Sequence, residues 1–239
     1  MSEQAQFTAV ASARERLLKR KVSAVYNVHL KRLVGLGIAL PLLVLLSPVL
    51  VIISFLVVLD SGFPVFYRGE RGGLGGEPFR IYKFRTMVRD AERLGGGTTA
   101  LADPRITRVG AFLRKTKLDE FPQLINIIRG DMCFVGPRPE LTRYTEQYEG
   151  DERYILLVRP GITDFSSIEY IRLDQVVGAS DADAVYEREV LAHKNQLRIK
   201  YVEQMSPMTD LRLFAATLVK ALGGMLRVVA NKGVASGDN

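Results

Sequence analysis

Cysteine and histidine are scarce in this sequence of 239 residues. Cys133 is the single cysteine, and His29 and His193 are the two histidines. One cysteine excludes an internal disulfide and a cysteine-rich zinc site, and two histidines argue against a multi-histidine metal site. A chain without a disulfide framework fits a reducing, cytoplasmic setting. Internal repeats and recognisable nucleic-acid-binding motifs are also missing, so we expect no nucleic acid among the partners.

Positive charge, in contrast, is in excess. The chain carries 33 Lys and Arg against 26 Asp and Glu, a formal net charge of +7. This balance favours an anionic partner, such as phospholipid or a phosphorylated substrate. Hydrophobic residues make up 47% of the chain, near the top of the range for soluble domains. The length allows one sizeable domain with an extension.

Residues 33–59 form an apolar run without a charged side chain. Crossing a bilayer core takes roughly 20 apolar residues, so the run is long enough. It does not resemble a secretory signal, which is shorter and ends in a small-residue cleavage site. Pro41 and Pro48 lie inside the run, and each removes an amide donor from a helix. The hydroxyl of Ser47 can satisfy a carbonyl freed at a sharp bend.

Basic residues flank this run on both sides. Since Lys and Arg near membrane segments prefer the cytoplasmic side, both ends favour the same side. We therefore expect residues 33–60 to form a re-entrant, helix-break-helix hairpin bent at Ser47-Pro48; a proline-kinked span stays open as the alternative. Residues 1–32 are expected to be a basic amphipathic lead-in on anionic lipid, or else a disordered tail. The flanking cations are Arg14, Arg16, Lys19, Arg20, Lys21, Lys31 and Arg32 before the run, and Arg68, Arg71, Arg80, Lys83 and Arg85 after it.

Residues 61–206 are expected to form a polar domain on the cytoplasmic side. Short β-branched and aromatic stretches at 65–67 and 79–84 predict a β-hairpin around a glycine-rich loop, and that loop lacks P-loop and dinucleotide spacing. Most of the remainder has helical periodicity. Residues 207–239 predict a C-terminal amphipathic helix and a loose tail. The expected fold class is therefore α/β, mostly α, with a short β-hairpin and amphipathic interfacial helices.

Two adjacent acids, Asp119 and Glu120, precede a helix predicted to run to Arg129 and to end at Gly130. Acids at a helix start are often only structural. A carboxylate in the positive field of a helix terminus stays ionised, and it can bind Mg²⁺ or attack phosphorus. Four cations can neutralise phosphoryl oxygens during such a transfer, and prolines stiffen the loop around the last of them. These are Lys83, Arg85, Arg114 and Arg138, the last between Pro137 and Pro139.

Four stretches occur in a recognisable order: the apolar run with Ser47-Pro48, VFYRGERGGLGGEPFRIYKFRTM, DPRITRVGAFLRKTKLDEFPQLINIIRGDMCFVGPRPE, and RPGIT, which begins at Arg159. Together they resemble the bacterial sugar transferase family, in particular its small monotopic polyprenyl-phosphate phosphoglycosyl transferases. The likeness is strong over residues 30–165 and weakens toward the C-terminus.

The resemblance implies transfer of a sugar 1-phosphate from a UDP-sugar to undecaprenyl phosphate, with Mg²⁺ as cofactor and UMP as product. Such a step begins assembly of an exopolysaccharide, O-antigen or glycoprotein glycan. It implies that Asp119 attacks the sugar-bearing phosphate and holds the metal, with Glu120 as its partner in the dyad. Arg114, the Pro137-Arg138-Pro139 loop and Arg159 would lie on the substrate side. The implied place is the cytoplasmic face of the bacterial inner membrane, with downstream glycosyltransferases as further partners.

One segment departs from the common family pattern. After RPGIT, many members continue with Gly-Trp-Ala-Gln, whereas this chain continues from Asp164 to Tyr170 as DFSSIEY. The sugar is therefore not identified. Two alternatives also stay open: direct transfer, in which the acids only hold Mg²⁺, and a catalytically inactive membrane-tethered scaffold that binds a UDP-sugar.

Overall fold

The computed structural model describes residues 3–235, so residues 236–239 of the expected loose tail lie outside the described residues. Twelve α-helices dominate this part of the chain. They are α1 (Glu3–Ser23), α2 (Lys31–Ser61), α3 (Ala91–Leu94), α4 (Arg108–Thr116), α5 (Gln123–Arg129), α6 (Thr142–Thr145), α7 (Arg153–Leu156), α8 (Phe165–Glu169), α9 (Leu173–Val177), α10 (Ala182–Val185), α11 (Leu191–Gln204) and α12 (Pro207–Ala235).

Within residues 3–235, six short strands form three two-stranded sheets. The predicted hairpin is present as two antiparallel pairs, β1 with β4 and β2 with β3. A parallel pair, β5 with β6, was not predicted. The mostly helical fold with small sheets is thus confirmed. The strands are β1 (Phe66–Tyr67), β2 (Glu70–Gly72), β3 (Pro78–Arg80), β4 (Lys83–Phe84), β5 (Cys133–Val135) and β6 (Gly161–Thr163).

The apolar run forms one long helix, α2, which continues through Pro41 and Pro48. An interruption of the helix at Ser47-Pro48 is therefore not found. The physical reason is local: Pro48 cannot donate to the carbonyl of Val44, and the Ser47 hydroxyl donates to that carbonyl instead, at 2.7 Å. By length and composition, the helical stretch 13–61 is able to cross a membrane, with a mean hydropathy of 3.1 in its most apolar window.

One face of α2 packs against the rest of the protein along most of its length. Ala39 joins a core cluster with Ile81, Leu124 and Ile127, and further along the helix Ile53 and Val57 join a second cluster with Phe84 and Leu113. The opposite face stays apolar and exposed, as Val44, Leu45, Val51, Ile52, Phe55 and Leu59 show. The helix therefore has one protein-facing stripe and one stripe suited to lipid.

Both ends of α2 are also tied to the same domain. At its start, Arg32 donates to the carbonyls of Ile127 and Ile128 near the end of α5. At its end, the Asp60 carboxylate accepts from the amide of Val109, at 2.9 Å, in the first turn of α4. The membrane-suited helix thus contacts both helices that flank the acid pair.

The segment before α2 is docked rather than detached. Leu18 of α1 is fully buried in a core cluster with Tyr201 and Val202 of α11. At the start of α2, the buried ammonium group of Lys31 lies 3.1 Å from the Asp210 carboxylate of α12. Asp210 also accepts from the hydroxyls of Tyr26, at 2.6 Å, and Tyr201, at 2.7 Å. One carboxylate therefore joins the start of α2 to the two C-terminal helices.

This arrangement predicts that Asp210→Asn destabilises the protein by about 3–5 kcal/mol, because it leaves the Lys31 ammonium buried without a counter-charge. The matched control is Asp151→Asn, which removes an exposed ion pair with Arg14 and should change the stability by less than about 1 kcal/mol. Denaturant unfolding of both variants in the same detergent measures the difference. Equal stability losses would contradict the anchoring role of Asp210.

Candidate active site

The acid pair lies in a single 3-10 turn, Leu118–Glu120, between α4 and α5. Lys117 ends α4 in a left-handed conformation, with φ of 61°, and so redirects the chain into this turn. The sequence predicts that the acids lie directly at the N-terminus of the following helix. Instead α5 begins four residues after Asp119, and Pro122 occupies its N-cap position without a side-chain cap.

Glu120 is held by two cations from different parts of the chain. Its Oε1 accepts from the ammonium group of Lys83, at 3.0 Å, and from the guanidinium group of Arg138. Burial alone would raise the pKa of Glu120, but Arg138 and Lys83 outweigh burial and hold it far below its usual range. Glu120 therefore stays ionised and joins the β-hairpin to the Pro137-Arg138-Pro139 loop.

Asp119 is in the opposite situation. It is 7% exposed, it forms no salt bridge among the described residues, and its Oδ1 is buried without a hydrogen-bond partner. Burial, and after it the negative charge of Glu120, raises the pKa of Asp119, against the pull of Lys83, Lys117 and Arg114. We expected a helix terminus to favour the ionised form, but burial beside a like charge opposes it.

Arg138 is fixed on three sides. Its guanidinium group donates to Glu120 and, at 2.5 Å, to the carbonyl of Ile162. Its amide donates to the carboxylate of Asp164, at 3.0 Å. Asp164 is fully buried and also caps α8 by accepting from the amide of Ser167. The segment that departs from the family pattern therefore supports the loop that carries Arg138. Sequence reasoning missed this role, although an Asp followed by Ser-Ser after one residue is a recognisable helix-capping pattern.

The loop is seated by a close approach of two glycines. The amide of Gly136 donates to the carbonyl of Thr163, and the amide of Gly161 donates to the carbonyl of Pro137. A Cβ atom on Gly161 would lie 2.1 Å from the nitrogen of Gly136. Only a residue without a side chain fits there, which explains the glycine of RPGIT in structural terms.

Arg114 lies beside the acid pair without bonding to it. Its Nε donates to the hydroxyl of Thr86, at 2.8 Å, and its NH1 donates to the hydroxyl of Thr99, at 2.9 Å. Burial lowers the pKa of Arg114, and the charge of Asp119 opposes that shift. The structure therefore brings Lys83, Arg114 and Arg138 close to the two acids. That these cations bind phosphate stays a prediction.

The described hydrogen bonds of two other predicted site residues lie elsewhere. Arg85 donates to the carbonyl and hydroxyl of Ser61 and to the carbonyl of Gly62, at the end of α2. Arg159 donates to the carbonyl of Gly130, at 2.8 Å, just beyond α5. Their contacts indicate anchoring of α2 and of α5, because carbonyls at helix ends attract cations.

Metal ligands are sparse around the acids. No group of three His, Cys, Asp or Glu side chains that could hold a metal ion occurs among the described residues. Asp119 offers one unpartnered carboxylate oxygen, whereas Glu120 is already engaged by two cations. This donor set fits Mg²⁺ bound by a single carboxylate together with phosphate oxygens and water.

Comparison with known sequences gives this site its context. The sequence model of the family described as "Bacterial sugar transferase" matches residues 26–224. The chain belongs to the bacterial sugar transferase family. The matched region includes α2, the acid pair, the Pro137–Pro139 loop, Asp164 and α11, so it covers every element of the site.

Three curated relatives show how far the likeness extends. A UDP-glucose:undecaprenyl-phosphate glucose-1-phosphate transferase of Escherichia coli is 37% identical over 198 residues, which are 81% of this chain and 40% of the relative. A UDP-galactose-lipid carrier transferase of Erwinia amylovora is 39% identical over 83% of this chain and 40% of its own length. A UDP-glucose:undecaprenyl-phosphate glucose-1-phosphate transferase of Caulobacter vibrioides is 34% identical over 80% of this chain and 69% of its own length. The chain thus spans less than half the length of the first two.

The glycine contact predicts that Gly161→Ala destabilises the protein by about 1–3 kcal/mol, because a backbone atom rather than a flexible side chain would have to move. Gly37→Ala in α2 is the control, since a Cβ there meets nothing within 4 Å and alanine favours a helix. Denaturant unfolding of both variants measures the effect. A Gly161→Ala protein as stable as the wild type would show that the loop is not tightly seated.

Proposed function

We propose that this protein transfers a sugar 1-phosphate from a UDP-sugar to polyprenyl phosphate and releases UMP. The observation that carries the proposal is the different setting of the two acids. Glu120 is neutralised by Lys83 and Arg138, whereas Asp119 has a carboxylate oxygen without a partner among the described residues. Family membership and the names of the relatives support the same reaction. The relatives are named for different sugars, so the sugar is not inferred.

In the first step, a carboxylate oxygen of Asp119 attacks the phosphorus that bears the sugar. The bond between that phosphorus and the bridging oxygen breaks, and UMP leaves with the electron pair. An aspartyl phosphosugar remains on the enzyme. The raised pKa of Asp119 makes the ionised carboxylate a stronger nucleophile than an ordinary aspartate, at the cost of a larger protonated fraction in acid.

In the second step, a phosphate oxygen of the polyprenyl carrier attacks the same phosphorus. The bond to Asp119 breaks, the carboxylate is restored, and a diphosphate-linked sugar forms on the lipid. Arg138 and Lys83 are fixed in advance by Glu120, and Arg114 is fixed by two threonines. Such preorganised cations stabilise charge on the transferred phosphoryl group without reorganising during the reaction.

Mg²⁺ would be held by the free oxygen of Asp119 and by the donor's phosphates, where it supplies charge neutralisation at the diphosphate. The protein side chains then orient the donor and keep the site poor in water. Direct transfer, with the acids only binding the metal, is the competing mechanism. The unpartnered oxygen of Asp119 fits both mechanisms, and covalent trapping of the labelled phosphosugar without the lipid distinguishes them.

We further propose that α2 enters and leaves the membrane on one side, bent at Pro48, with the catalytic domain on the cytoplasmic face of the bacterial inner membrane. The contacts of Arg32 and Asp60 support this, since both ends of α2 bond to one domain. A straight helix from Arg32 to Asp60 would place its ends about 42 Å apart, and a bend at Pro48 would shorten that distance. Basic flanks on both sides favour the same topology, which brings the lipid acceptor to the acid pair. Downstream glycosyltransferases are the proposed users of the product.

The covalent mechanism predicts that Asp119→Asn lowers UMP release by roughly 10³-fold or more, because a buried amide of the same shape cannot act as the nucleophile. Membrane preparations receive Mg²⁺, undecaprenyl phosphate and a panel of UDP-sugars, and UMP is measured. Wild-type protein incubated without the lipid should retain sugar-labelled phosphate covalently, and Asp119→Asn should not. Full activity in Asp119→Asn would remove the nucleophile assignment, and no UMP from the wild type with any donor would favour a binding scaffold.

The charge coupling between Asp119 and Glu120 predicts in which direction the pH dependence of kcat/KM shifts when Glu120 is replaced. As pH falls, Asp119 takes up a proton and loses its nucleophilicity, so kcat/KM for the donor should fall through a pKa above the ordinary aspartate value of about 3.9. Glu120→Gln removes a like charge and releases two cations, so the acid limb should move to lower pH while kcat drops. A limb that stays in place in Glu120→Gln would exclude Asp119 as the titrating group.

The topology predicts equal labelling of both flanks of α2. In a Cys133→Ser background, Ser23→Cys and Glu70→Cys place exposed thiols before and after the helix. An impermeant maleimide should label both in inverted membrane vesicles and neither in intact spheroplasts. Labelling of one thiol from each side would establish a simple span instead.

A further inference from the structure

A buried polar network lies between α11 and the loop that carries Arg138. Glu140 directly follows Pro139, and its Oε2 accepts from the guanidinium group of Arg198, at 2.9 Å, and from the hydroxyl of Tyr186. The ammonium group of Lys194 lies 3.6 Å from the same oxygen. Arg198 is fully buried. One carboxylate therefore faces two cations from α11 inside the protein.

Neutral side chains also bond to both cations of the network, while the Nε of Arg198 is buried without a hydrogen-bond partner among the described residues. Arg198 also donates to Asn195, at 2.7 Å, and to the hydroxyl of Tyr148, at 3.3 Å. Lys194 donates to the hydroxyl of Tyr186, at 2.9 Å. Burial lowers the pKa of Lys194 to about 8, with Arg198 adding to the effect and Glu140 opposing it. Burying this much charge is expensive, and apolar packing would hold a helix to a loop equally well.

A short chain of contacts connects the network to the acid pair. The carbonyl of Glu140 accepts from the amide of Gly72, so this residue is held by β2 as well as by α11. Pro139 separates Glu140 from Arg138 and restricts the backbone between them. Arg138 then reaches Glu120. Fixing the Glu140 side chain therefore limits where the Arg138 guanidinium group can lie.

We propose that Arg198 and Lys194 are positioning residues, which act through Glu140 to hold the Pro137–Pro139 loop where Arg138 meets both Glu120 and the phosphates of a nucleoside diphosphate sugar. The part of this statement that concerns the donor rests on the proposed function. The part that concerns the loop does not, and the two parts are tested separately.

Hydrogen exchange of the full-length protein in detergent tests the loop without any activity measurement. In Arg198→Met, we expect faster exchange of the amides in residues 136–141, while residues 123–129 of α5 exchange as in the wild type. Val202→Ala is the control, because Val202 is equally buried one turn further along α11 but lies in an apolar cluster. Unchanged exchange in residues 136–141 of Arg198→Met, or the same increase in Val202→Ala, would overturn the proposal.

Steady-state kinetics test the donor. Arg198→Met should raise the donor KM about tenfold, the size of one weakened charge-assisted hydrogen bond, and leave the KM for polyprenyl phosphate within twofold. Because Arg198 acts through Glu140, adding Arg198→Met to Glu140→Gln should raise the donor KM no further. Arg198→Lys should restore part of the effect. Additive effects of the two substitutions, or equal changes in both KM values, would show a merely structural role.

Two outcomes separate this proposal from the proposed function. If the wild type releases no UMP with any donor, the proposed function fails, and the exchange experiment still decides the loop. If Arg198→Met does not fold, Tyr186→Phe takes its place, since it removes one hydroxyl from Glu140 and keeps the ring. The same exchange and KM changes are then expected in the same direction, and their absence contradicts the proposal.

Discussion

The site depends on one largely covered carboxylate, that of Glu120, which is 17% exposed and is shared between Lys83 and Arg138. Lys83 comes from the last strand of the hairpin, Arg138 from a proline-bounded loop, and Glu120 from the turn between α4 and α5. Three separate segments therefore meet at one oxygen atom. Because separating a largely covered ion from its partner is costly, movement of any one of the three segments is opposed by the other two. This shared constraint leaves Asp119 as the acid whose charge is not already committed.

The sequence predicts most of the residue types at the site but not their division into roles. Adjacent acids, nearby cations and a stiff Pro-Arg-Pro loop are visible as patterns, and Lys83, Arg114 and Arg138 do converge. Spacing cannot show that Glu120 takes both cations while Asp119 takes neither, since that depends on side-chain geometry. Arg85 is a cation at the same strand end as Lys83, two residues after it. Its hydrogen bonds nevertheless go to the carbonyls at the end of α2.

The fold shows a similar limit. Helices and the glycine-rich hairpin follow from periodicity and turn residues, whereas the parallel pair of β5 and β6 escaped prediction because three residues carry no alternation signal. The support of the Arg138 loop by Asp164 and by α11 was equally hidden. These contacts join residues that are far apart in the sequence, and buried charges such as Arg198 look like surface residues until their partners are known.

The Asp60 cap on α4 has a consequence for substrate geometry. Asp60 belongs to the last turn of the apolar helix, and α4 leads from that cap to the acid pair over the nine residues Arg108–Thr116. At a rise of about 1.5 Å per residue, this strut is roughly 14 Å long. In the proposed reaction, a lipid acceptor held against the end of α2 would have to bring its phosphate across roughly this distance to approach the turn that carries Asp119. The length of α4 would thus determine how far a membrane-bound reactant has to emerge from the bilayer.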